Sequence, residues 1–397
     1  MGLKLSRKLA KQALMYLDSN ATSPLDEEVW QAMLPWWREQ FFNPSSSYHG
    51  AKLARRAIDE ARCQVAELLG AQEDEIIFTS GGTESINSVL RSWDADAGEG
   101  DFLTTAVEHS AVLRTGEFLP RLMQKCGVDS FGALDLNEWR SLLPHSAFAA
   151  AMAVNNETGV IMEWRAAAQM ARSAGKPFFC DAVQAVGKID ISDAAQHVDA
   201  LALSAHKFHG PKGVGAMFLR RGCQFSPLLR GGGQERGLRS GTEPVALIVG
   251  MGVAAQRARL SLEEKNLRIA EVRDLFETLV SQGLNGVTIN GDKKSRVANT
   301  SHLSFDGCEA AGLLIWLDEK GLSCSAGSAC MSGKQQPSHV QKAMGFSDLK
   351  AKSSLRISFH HGHSVDDAQK AAQLVIAAVQ KLRSVQGPGV GPVVIYT

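Results

Sequence analysis

Residues 199–220, DALALSAHKFHGPKGVGAMFLR, combine two strand patterns with a lysine between them. The two ends of the stretch, DALALSA and GAMFLR, are short apolar runs typical of buried strands, and a loop rich in Gly and Pro separates them. Lys207 comes just after the first strand, inside that loop. Lysines usually lie on solvated polar faces, so a lysine delivered by a buried strand indicates a functional position at the end of a sheet.

The sequence before this stretch alternates between strand and helix patterns. Strand, helix, strand order is typical of an α/β unit whose mainly parallel sheet is covered on both faces. We therefore expect an α/β fold with a mainly parallel, seven-stranded type of sheet. The predicted strands are EIIFTS (75–80), FLTTAVE (102–108), AFAAAMAVNN (147–156) and FFCDA (178–182), and the predicted helices cover 84–92, 110–125 and 163–174.

The character of the sequence changes at about residue 255. A long charged stretch, 254–279, predicts helix, and it leads into the predicted strands TSHLSFDG (300–307) and SLRISFH (354–360). A final helix is expected to open at Ser364, because Asp367 three residues later completes a capping-box pattern. The predicted domains are a large one over 16–260 and a smaller α+β one formed by 1–15 and 261–397.

Composition excludes several classes of protein. With 397 residues and 44% apolar content the chain is long enough for two cores. Lys+Arg and Asp+Glu number 42 each, so no global field recruits nucleic acid or an anionic membrane. The longest apolar run, 147–154, is too short to cross a bilayer, and the N-terminus lacks a signal-peptide pattern. Seven scattered cysteines indicate reduced thiols, and we expect a soluble cytoplasmic protein.

Polar side chains follow several of the predicted strands at the point where each strand ends. Ligands of open parallel sheets bind at the carboxyl ends of the strands, so these side chains are candidates for a binding site. A turn with two glycines before a helix also exposes backbone N–H groups that can hold a phosphate. The candidates are Gly81, Gly82 and Thr83, then His109, Asn155 and Asn156, then Asp181 and Gln184, and finally Ser204, His206 and Lys207.

This set meets the requirements of pyridoxal phosphate. The cofactor needs a lysine amine for covalent attachment and a carboxylate beside its ring nitrogen, so that the ring can accept electrons. Lys207 and Asp181 are of those two types. A flat group over the ring, a donor to the phenolic oxygen and a phosphate cup are also needed. His109 and Gln184 suit the first two, and the cup is assigned to Gly82, Thr83, Ser204 and His206.

Ordered motifs along the chain resemble one known family. YLDSNATSPLD, NPSSSYHG, FTSGGTESIN, VEHSAV, VNNETG, CDAVQAVGK, SAHKFHGPKGVG, RGGGQERGLRSGT and GSAC follow one another between about residues 16 and 360. In this order they resemble the cysteine desulfurases of the NifS and IscS type, which are class V aminotransferases with the fold-type-I architecture of pyridoxal phosphate enzymes. The resemblance implies a homodimer in which Thr242 completes the partner's phosphate site. It also implies that Arg356, helped by Asn155, grips the carboxylate of the substrate.

The resemblance further implies a reaction. L-Cysteine would give L-alanine and a persulfide on Cys330, with Lys207 and His109 as the other catalytic residues. The sulfur would pass to acceptors such as an iron–sulfur scaffold protein. Cys330 lies in a Ser- and Gly-rich segment, about 323–337, which we expect to move with its cargo. Cys324 is expected to be a packing thiol, and a disulfide with Cys330 is the alternative.

Other functions stay open at this point. One alternative is a selenocysteine lyase or another class V aminotransferase-type enzyme. Another is a catalytically silent subunit that relays sulfur, although such a protein would be expected to lack Lys207, Asp181 or Cys330. His360, His361 and His363 lie close together, but their spacing is not a zinc pattern, so we predict no metal and a loop near Arg356.

Overall fold

The computed structural model of the chain describes residues 14–327 and 337–386. These residues form two compact units. We call residues 21–156 with 160–263 the large unit. Residues 14–20, 157–159, 264–327 and 337–386 are the described part of the small unit. The tripeptide 157–159 thus groups with the small unit although both of its flanks belong to the large one.

The strands follow one another along the chain as short segments. Their bounds are β1 Met15–Tyr16, β2 Ile76–Thr79, β3 Asp101–Thr105, β4 Met123–Cys126, β5 Ser146–Met152, β6 Phe178–Asp181, β7 Ala200–Ser204, β8 Gly215–Leu219, β9 Val287–Ile289, β10 Thr300–Phe305, β11 Leu322–Ser323, β12 Ser325–Ala326 and β13 Ser354–Ser358.

The α-helices lie between most of these strands. Their bounds are α1 Glu27–Arg38, α2 His49–Leu69, α3 Gly82–Asp96, α4 Ser110–Phe118, α5 Leu136–Leu142, α6 Trp164–Ser173, α7 Ala194–His197, α8 Val245–Leu260, α9 Leu262–Gly283, α10 Ala310–Glu319, α11 His339–Ala343, α12 Asp348–Ala351 and α13 Val365–Gln386.

The large unit contains a seven-stranded sheet in the order β2-β8-β7-β6-β5-β3-β4. The strands from β7 to β4 pair in parallel, and β8 runs antiparallel to both β7 and β2. Parallel neighbours need long crossover connections, and helices such as α6 provide them. Trp164, Ala167, Ala168 and Ala171 form the buried stripe of α6, at the spacing of one helix face. The predicted α/β class with a mainly parallel sheet is confirmed.

Two predicted helices end or break earlier than expected. The helix predicted over 110–125 stops at Phe118, and the edge strand β4 occupies 123–126 instead. Pro120 explains the stop, because a proline disfavours helical backbone in the residue before it. The predicted stretch 254–279 is divided between α8 and α9, and the break falls at Ser261.

The small unit has a four-stranded antiparallel sheet in the order β12-β13-β10-β9 and a parallel pair, β1 with β11. Its core joins Phe276 of α9, Leu303 of β10, Ile357 of β13 and Val375 of α13. The predicted helix start at Ser364 is confirmed, because Ser364 and Asp367 exchange side-chain and backbone hydrogen bonds. Within the described ranges, no single helix is both long and apolar enough to cross a bilayer; α8 and α9 meet that test only as a pair.

Candidate active site

The turn between β2 and α3 forms a cradle with room for backbone only. Gly81 has φ +154° and ψ 178°, a conformation that essentially only glycine adopts. A Cβ on Gly82 would lie 2.6 Å from Val183 Cγ2, and one on Gly81 would lie 3.7 Å from Ser204 Oγ. α3 begins at Gly82, so the free N–H groups of its first turn open beside the Ser204 hydroxyl. This arrangement fits an anion such as the cofactor phosphate.

Lys207 and His206 lie in a short 3₁₀ turn directly after β7. Lys207 is partly exposed, and its Nζ donates to the Ala21 carbonyl at 2.8 Å. His206 Nδ1 lies 3.1 Å from Thr22 Oγ1. Burial and the charges of Lys207 and Lys212 lower the pKa of His206 to about 4. His206 is therefore neutral at physiological pH, and its imidazole acts through hydrogen bonds rather than through charge.

Asp181 is the last residue of β6 and is almost fully buried. Its Oδ1 accepts a hydrogen bond from the Val183 N–H at 3.0 Å. Burial raises the pKa of Asp181, while His109, the Val183 N–H and Lys207 act in the opposite direction. The Asp181 carboxylate thus interacts with the charges of a lysine and an imidazole. A protonated ring nitrogen of the cofactor would be a further positive group beside this carboxylate.

His109 caps α4 and faces open space. Its Nδ1 accepts from the Ala111 N–H at 3.1 Å, so the proton of the neutral ring lies on Nε2. Burial lowers the pKa of His109, with Asp181 raising it and Lys207 lowering it further. The ring borders a cavity of about 590 Å³ that is also lined by Thr83 and Asn87. Its lining continues along α3 and α4 to Arg91 and Arg114 and includes neither Lys207 nor Asp181, so the cavity extends from the imidazole along these two helices.

Asn155 and Gln184 are buried close to these groups in the chain. Asn155 Nδ2 donates to the Val107 carbonyl at 3.1 Å, two residues before His109. Gln184 Oε1 accepts from Lys188 Nζ. Both amides are more than nine-tenths buried. Asn155 therefore supports the segment that carries His109.

Thr242 is exposed on a loop held by ion pairs on both sides. Before it, the Arg239 guanidinium contacts Glu84 in the first turn of α3, with Nε 2.9 Å from Oε1. After it, Glu243 accepts from Arg55 Nη1 at 3.0 Å. Glu84 also accepts from the Ser80 N–H at 2.8 Å. An exposed hydroxyl on a well-held loop is suited to contact another chain.

Arg356 lies in β13 of the small unit and is buried. Its Nη2 donates to Asp18 Oδ1 at 2.7 Å, and the second oxygen of Asp18 accepts from Ser325 Oγ at 2.7 Å. Asp18 was not singled out from the sequence, although it lies in the YLDSNATSPLD motif. The guanidinium is therefore oriented by a carboxylate within its own unit.

The predicted nucleophile Cys330 lies outside the described residues. Cys324 packs partly buried against the core of the small unit. Burial and the Asp18 carboxylate raise the pKa of the Cys324 thiol to about 12. A thiol with that pKa is protonated and weakly nucleophilic at neutral pH, which agrees with a packing thiol.

The three histidines at 360–363 form a turn. His363 Nδ1 accepts from the His360 N–H and His360 Nδ1 accepts from the Gly362 N–H, both at 3.0 Å. Across the part of the chain that the structure describes, no group of three His, Cys, Asp or Glu side chains is arranged to hold a metal. These ring nitrogens serve the backbone of their own turn.

Two further buried carboxylates, Glu108 and Glu157, were not predicted from the sequence. Glu108 is fully buried; its Oε1 accepts from the Met152 N–H at 2.7 Å and from Thr105 Oγ1 at 2.8 Å. Burial and Asp181 raise its pKa to about 8. Glu157 is buried in the small unit, and this burial raises its pKa to about 7, while Ser338 and the charge of Arg356 act in the opposite direction. Each lies next to a candidate inside a motif, VEHSAV or VNNETG, and adjacency was the one signal that marked it.

Comparisons with known proteins agree with this arrangement. The aminotransferase class-V family model matches residues 15–370. The chain is 40% identical over 376 residues to the cysteine desulfurase of Gluconacetobacter diazotrophicus, which covers 93% of this chain and 94% of that protein. A NifS-like protein matches in structure with a TM-score of 0.87 and 32% identity, over 93% of this chain and 100% of the other. SspA in complex with cysteine matches with a TM-score of 0.77 and 31% identity, over 87% of this chain and 99% of the other.

These matches confirm the expected fold-type-I architecture. They span nearly the whole chain, including both units. The chain therefore belongs to the class-V aminotransferase family and, within that family, to the cysteine desulfurases of the NifS and IscS type.

Proposed function

We propose that this protein is a pyridoxal phosphate-dependent cysteine desulfurase, which converts L-cysteine to L-alanine and leaves a persulfide on Cys330. The observation that carries the proposal is the electrostatic group formed by Asp181, His109 and Lys207, which end or follow three strands, β6, β3 and β7, of the parallel part of the sheet. A lysine amine and a buried carboxylate are the two groups that attachment and activation of pyridoxal phosphate require, and here each acts on the charge of the same imidazole.

Each group in the large unit has a place in holding the cofactor. Lys207 would attach it through its aldehyde, and the Asp181 carboxylate would accept a hydrogen bond from the ring nitrogen. The Gly82 and Thr83 turn, with Ser204 and His206, would hold the phosphate. His109 would cover one face of the ring and Gln184 would donate to the phenolic oxygen. The bound cofactor supplies an acceptor for the electron pair left on the substrate Cα.

The chain's own groups account for proton and sulfur transfer. The Lys207 amine is the base that takes the Cα proton of the substrate. The Cys330 thiolate then attacks the substrate Sγ: a sulfur–sulfur bond forms and the Cβ–Sγ bond breaks. The electron pair of that bond stays with the substrate Cβ, which takes up a proton, and Lys207 returns a proton to Cα, so that the product leaves as alanine. The thiol hydrogen of the substrate stays on the outer sulfur of the Cys330 persulfide.

Substrate recognition would rest on Arg356, helped by Asn155. A guanidinium binds a carboxylate with two parallel hydrogen bonds, which sets the orientation of the amino acid as well as its affinity. Arg356 is buried and held by Asp18, so little side-chain entropy is lost when the substrate binds.

Two features of the proposal concern other molecules. We propose a homodimer in which the exposed Thr242 of each subunit completes the phosphate site of its partner. We also propose that the persulfide sulfur is passed to an acceptor protein, such as an iron–sulfur scaffold. Lys207, Asp181 and Cys330 are all present in the sequence, which disfavours a catalytically silent relay subunit.

The test is a product assay on the purified protein loaded with pyridoxal phosphate. With L-cysteine and a reductant it should release alanine and sulfide in equal amounts, and mass spectrometry should find one extra sulfur on the Cys330 peptide before reduction. A parallel assay with L-selenocysteine measures substrate preference. Transamination products without sulfide would contradict the proposal.

A further inference from the structure

A buried polar cluster of the small unit involves both ends of the segment that carries Cys330. Glu157, which is 5% exposed, belongs to the tripeptide 157–159. Its Oε2 accepts a hydrogen bond from Ser338 Oγ at 2.5 Å. Ser338 caps α11 and lies two residues after the undescribed segment 328–336. Glu157 therefore contacts the C-terminal end of that segment.

The N-terminal end, Gly327, lies against the same carboxylate. A Cβ built on Gly327 would meet Glu157 Oε2 at 2.6 Å, Gln341 Nε2 at 2.8 Å and His302 Nε2 at 3.1 Å. Three polar atoms thus converge on one point beside the Gly327 backbone. Contacts of 2.6 and 2.8 Å leave no room for a methyl group, so only glycine fits here without displacing the cluster.

Two of the converging atoms are hydrogen-bond donors without an acceptor. Asn290 Nδ2 lies 3.1 Å from His302 Nδ1, so Nδ1 accepts and the proton of the neutral ring lies on Nε2. Gln341 Oε1 accepts from Ser354 Oγ at 2.8 Å, which directs the amide nitrogen the other way. Within the described ranges, His302 Nε2 and Gln341 Nε2 have no hydrogen-bond partner, and both residues are fully buried.

Unpartnered buried donors cost stability, so their presence in a native fold calls for a function. Here both donors, together with the Glu157 carboxylate oxygen, surround the position that a side chain on Gly327 would occupy. The cluster also adjoins the strand that carries Arg356. His302 is paired with Arg356 in the β10–β13 ladder, and the charge of Arg356 acts on Glu157.

We propose that Glu157 is a positioning residue for sulfur transfer: with His302 and Gln341 it holds Gly327 and Ser338, the two ends of the Cys330 segment, beside the strand of Arg356. The inference rests on the proposed function, because it concerns the nucleophile and the substrate arginine of that reaction. A shared anchor fixes where the segment starts and ends relative to the bound carboxylate. Misplacing a reacting group by about 1 Å can cost a factor on the order of 100 in rate.

Four variants test this role in the full-length holoenzyme. Glu157→Ala and Ser338→Ala each remove one side of the hydrogen bond, whereas Glu157→Gln keeps an acceptor oxygen. Ser347→Ala is the matched control, because Ser347 caps the short helix α12 of the same unit and is exposed. Thermal unfolding of each variant shows that it is folded before its rates are compared.

The readouts separate positioning from general destabilisation. We expect alanine formation to fall about tenfold in Glu157→Ala and Ser338→Ala, and to stay within about threefold of wild type in Glu157→Gln. The rate of Cys330 alkylation by iodoacetamide should change in the same two variants. The absorbance of the cofactor before cysteine is added should be unchanged in all of them, since its ligands lie in the large unit.

Equal alanine and alkylation rates in Ser347→Ala and the two disrupting variants would overturn the inference. A wild-type protein that forms no alanine from cysteine would instead contradict the proposed function. Even then, the alkylation rates of Cys330 would decide whether Glu157 and Ser338 set the exposure of that thiol. The two failures are therefore distinguishable.

Discussion

Arg356 Nη2 lies 2.7 Å from Asp18 Oδ1, so the guanidinium predicted to bind the substrate already has a carboxylate beside it. A buried arginine needs such a partner, because an unpaired charge in the interior is strongly destabilising. Ser325 Oγ occupies the other oxygen of Asp18 at 2.7 Å. Asp18 therefore orients one end of the Arg356 guanidinium, and the hydrogen bond from Ser325 restricts movement of the Asp18 carboxylate.

Asp18→Asn should weaken cysteine binding more than it slows turnover. The amide keeps the size of the side chain but loses the charge that orients Arg356, so we expect KM for L-cysteine to rise about fivefold and kcat to change less than about twofold. Steady-state kinetics of alanine formation measure both. Asp348→Asn, which removes an exposed partner of Lys342 in the same unit, is the control. A fall in kcat at unchanged KM would show that Asp18 does not act through substrate binding.

Lys207→Ala should remove both the absorbance of covalently attached cofactor and all turnover. Lys207 lies in the turn directly after β7, and covalent attachment of the cofactor requires an amine at such a position. The visible absorbance spectrum, recorded with and without cysteine, is the measurement. Lys212→Ala removes an exposed lysine from the same loop and should leave the spectrum unchanged. Normal visible absorbance in Lys207→Ala would mean that another lysine binds the cofactor.

Cys330→Ala should stop sulfide release while the cofactor spectrum still responds to cysteine. Cys324→Ala should retain turnover within about twofold, because burial and Asp18 raise the pKa of the Cys324 thiol to about 12 and keep it protonated. Peptide mass spectrometry after cysteine treatment should place the extra sulfur on Cys330. An extra sulfur on Cys324 would reverse the roles of the two thiols.

Glu108→Gln should make the stability of the apoprotein less dependent on pH. The folded pKa of Glu108, about 8, lies above its ordinary value of 4.5, so the native state binds this proton more strongly than the unfolded chain does. The stabilisation is complete below pH 4.5 and is lost as the pH rises to about 8. Gln keeps the neutral form at every pH, and the free energy of unfolding at pH 8 relative to pH 5 should rise by on the order of a few kcal/mol.

Urea unfolding of wild type and Glu108→Gln at both pH values measures this difference. Glu117→Gln serves as the control, since Glu117 lies on the exposed side of α4 and pairs only with Arg114 in the described structure. An equal pH dependence in wild type and Glu108→Gln would mean that Glu108 is already ionised at pH 5.

Local patterns were sufficient to predict the strand ends of the large unit. Lys207 follows β7 and Asp181 ends β6, as expected, because the apolar run that forms each of these strands stops at that point in the sequence. The polar strand β4 was missed, since the pairing of an edge strand with β3 depends on a neighbour and not on its own apolar content. The helix predicted over 110–125 is shorter in the structure, because Pro120 disfavours helical backbone at Leu119.

The α/β class, the family and the residues that follow each strand could be predicted from the sequence, because short-range periodicity and ordered motifs carry that information. The carboxylates that lie beside these residues became visible in the folded chain. Asp18 is 338 residues from Arg356, and Glu157 is 181 residues from Ser338. Such pairs form because a buried charge or hydroxyl needs a hydrogen-bonding partner. The partner is set by the folded structure, so the separation of the two residues along the chain does not predict it.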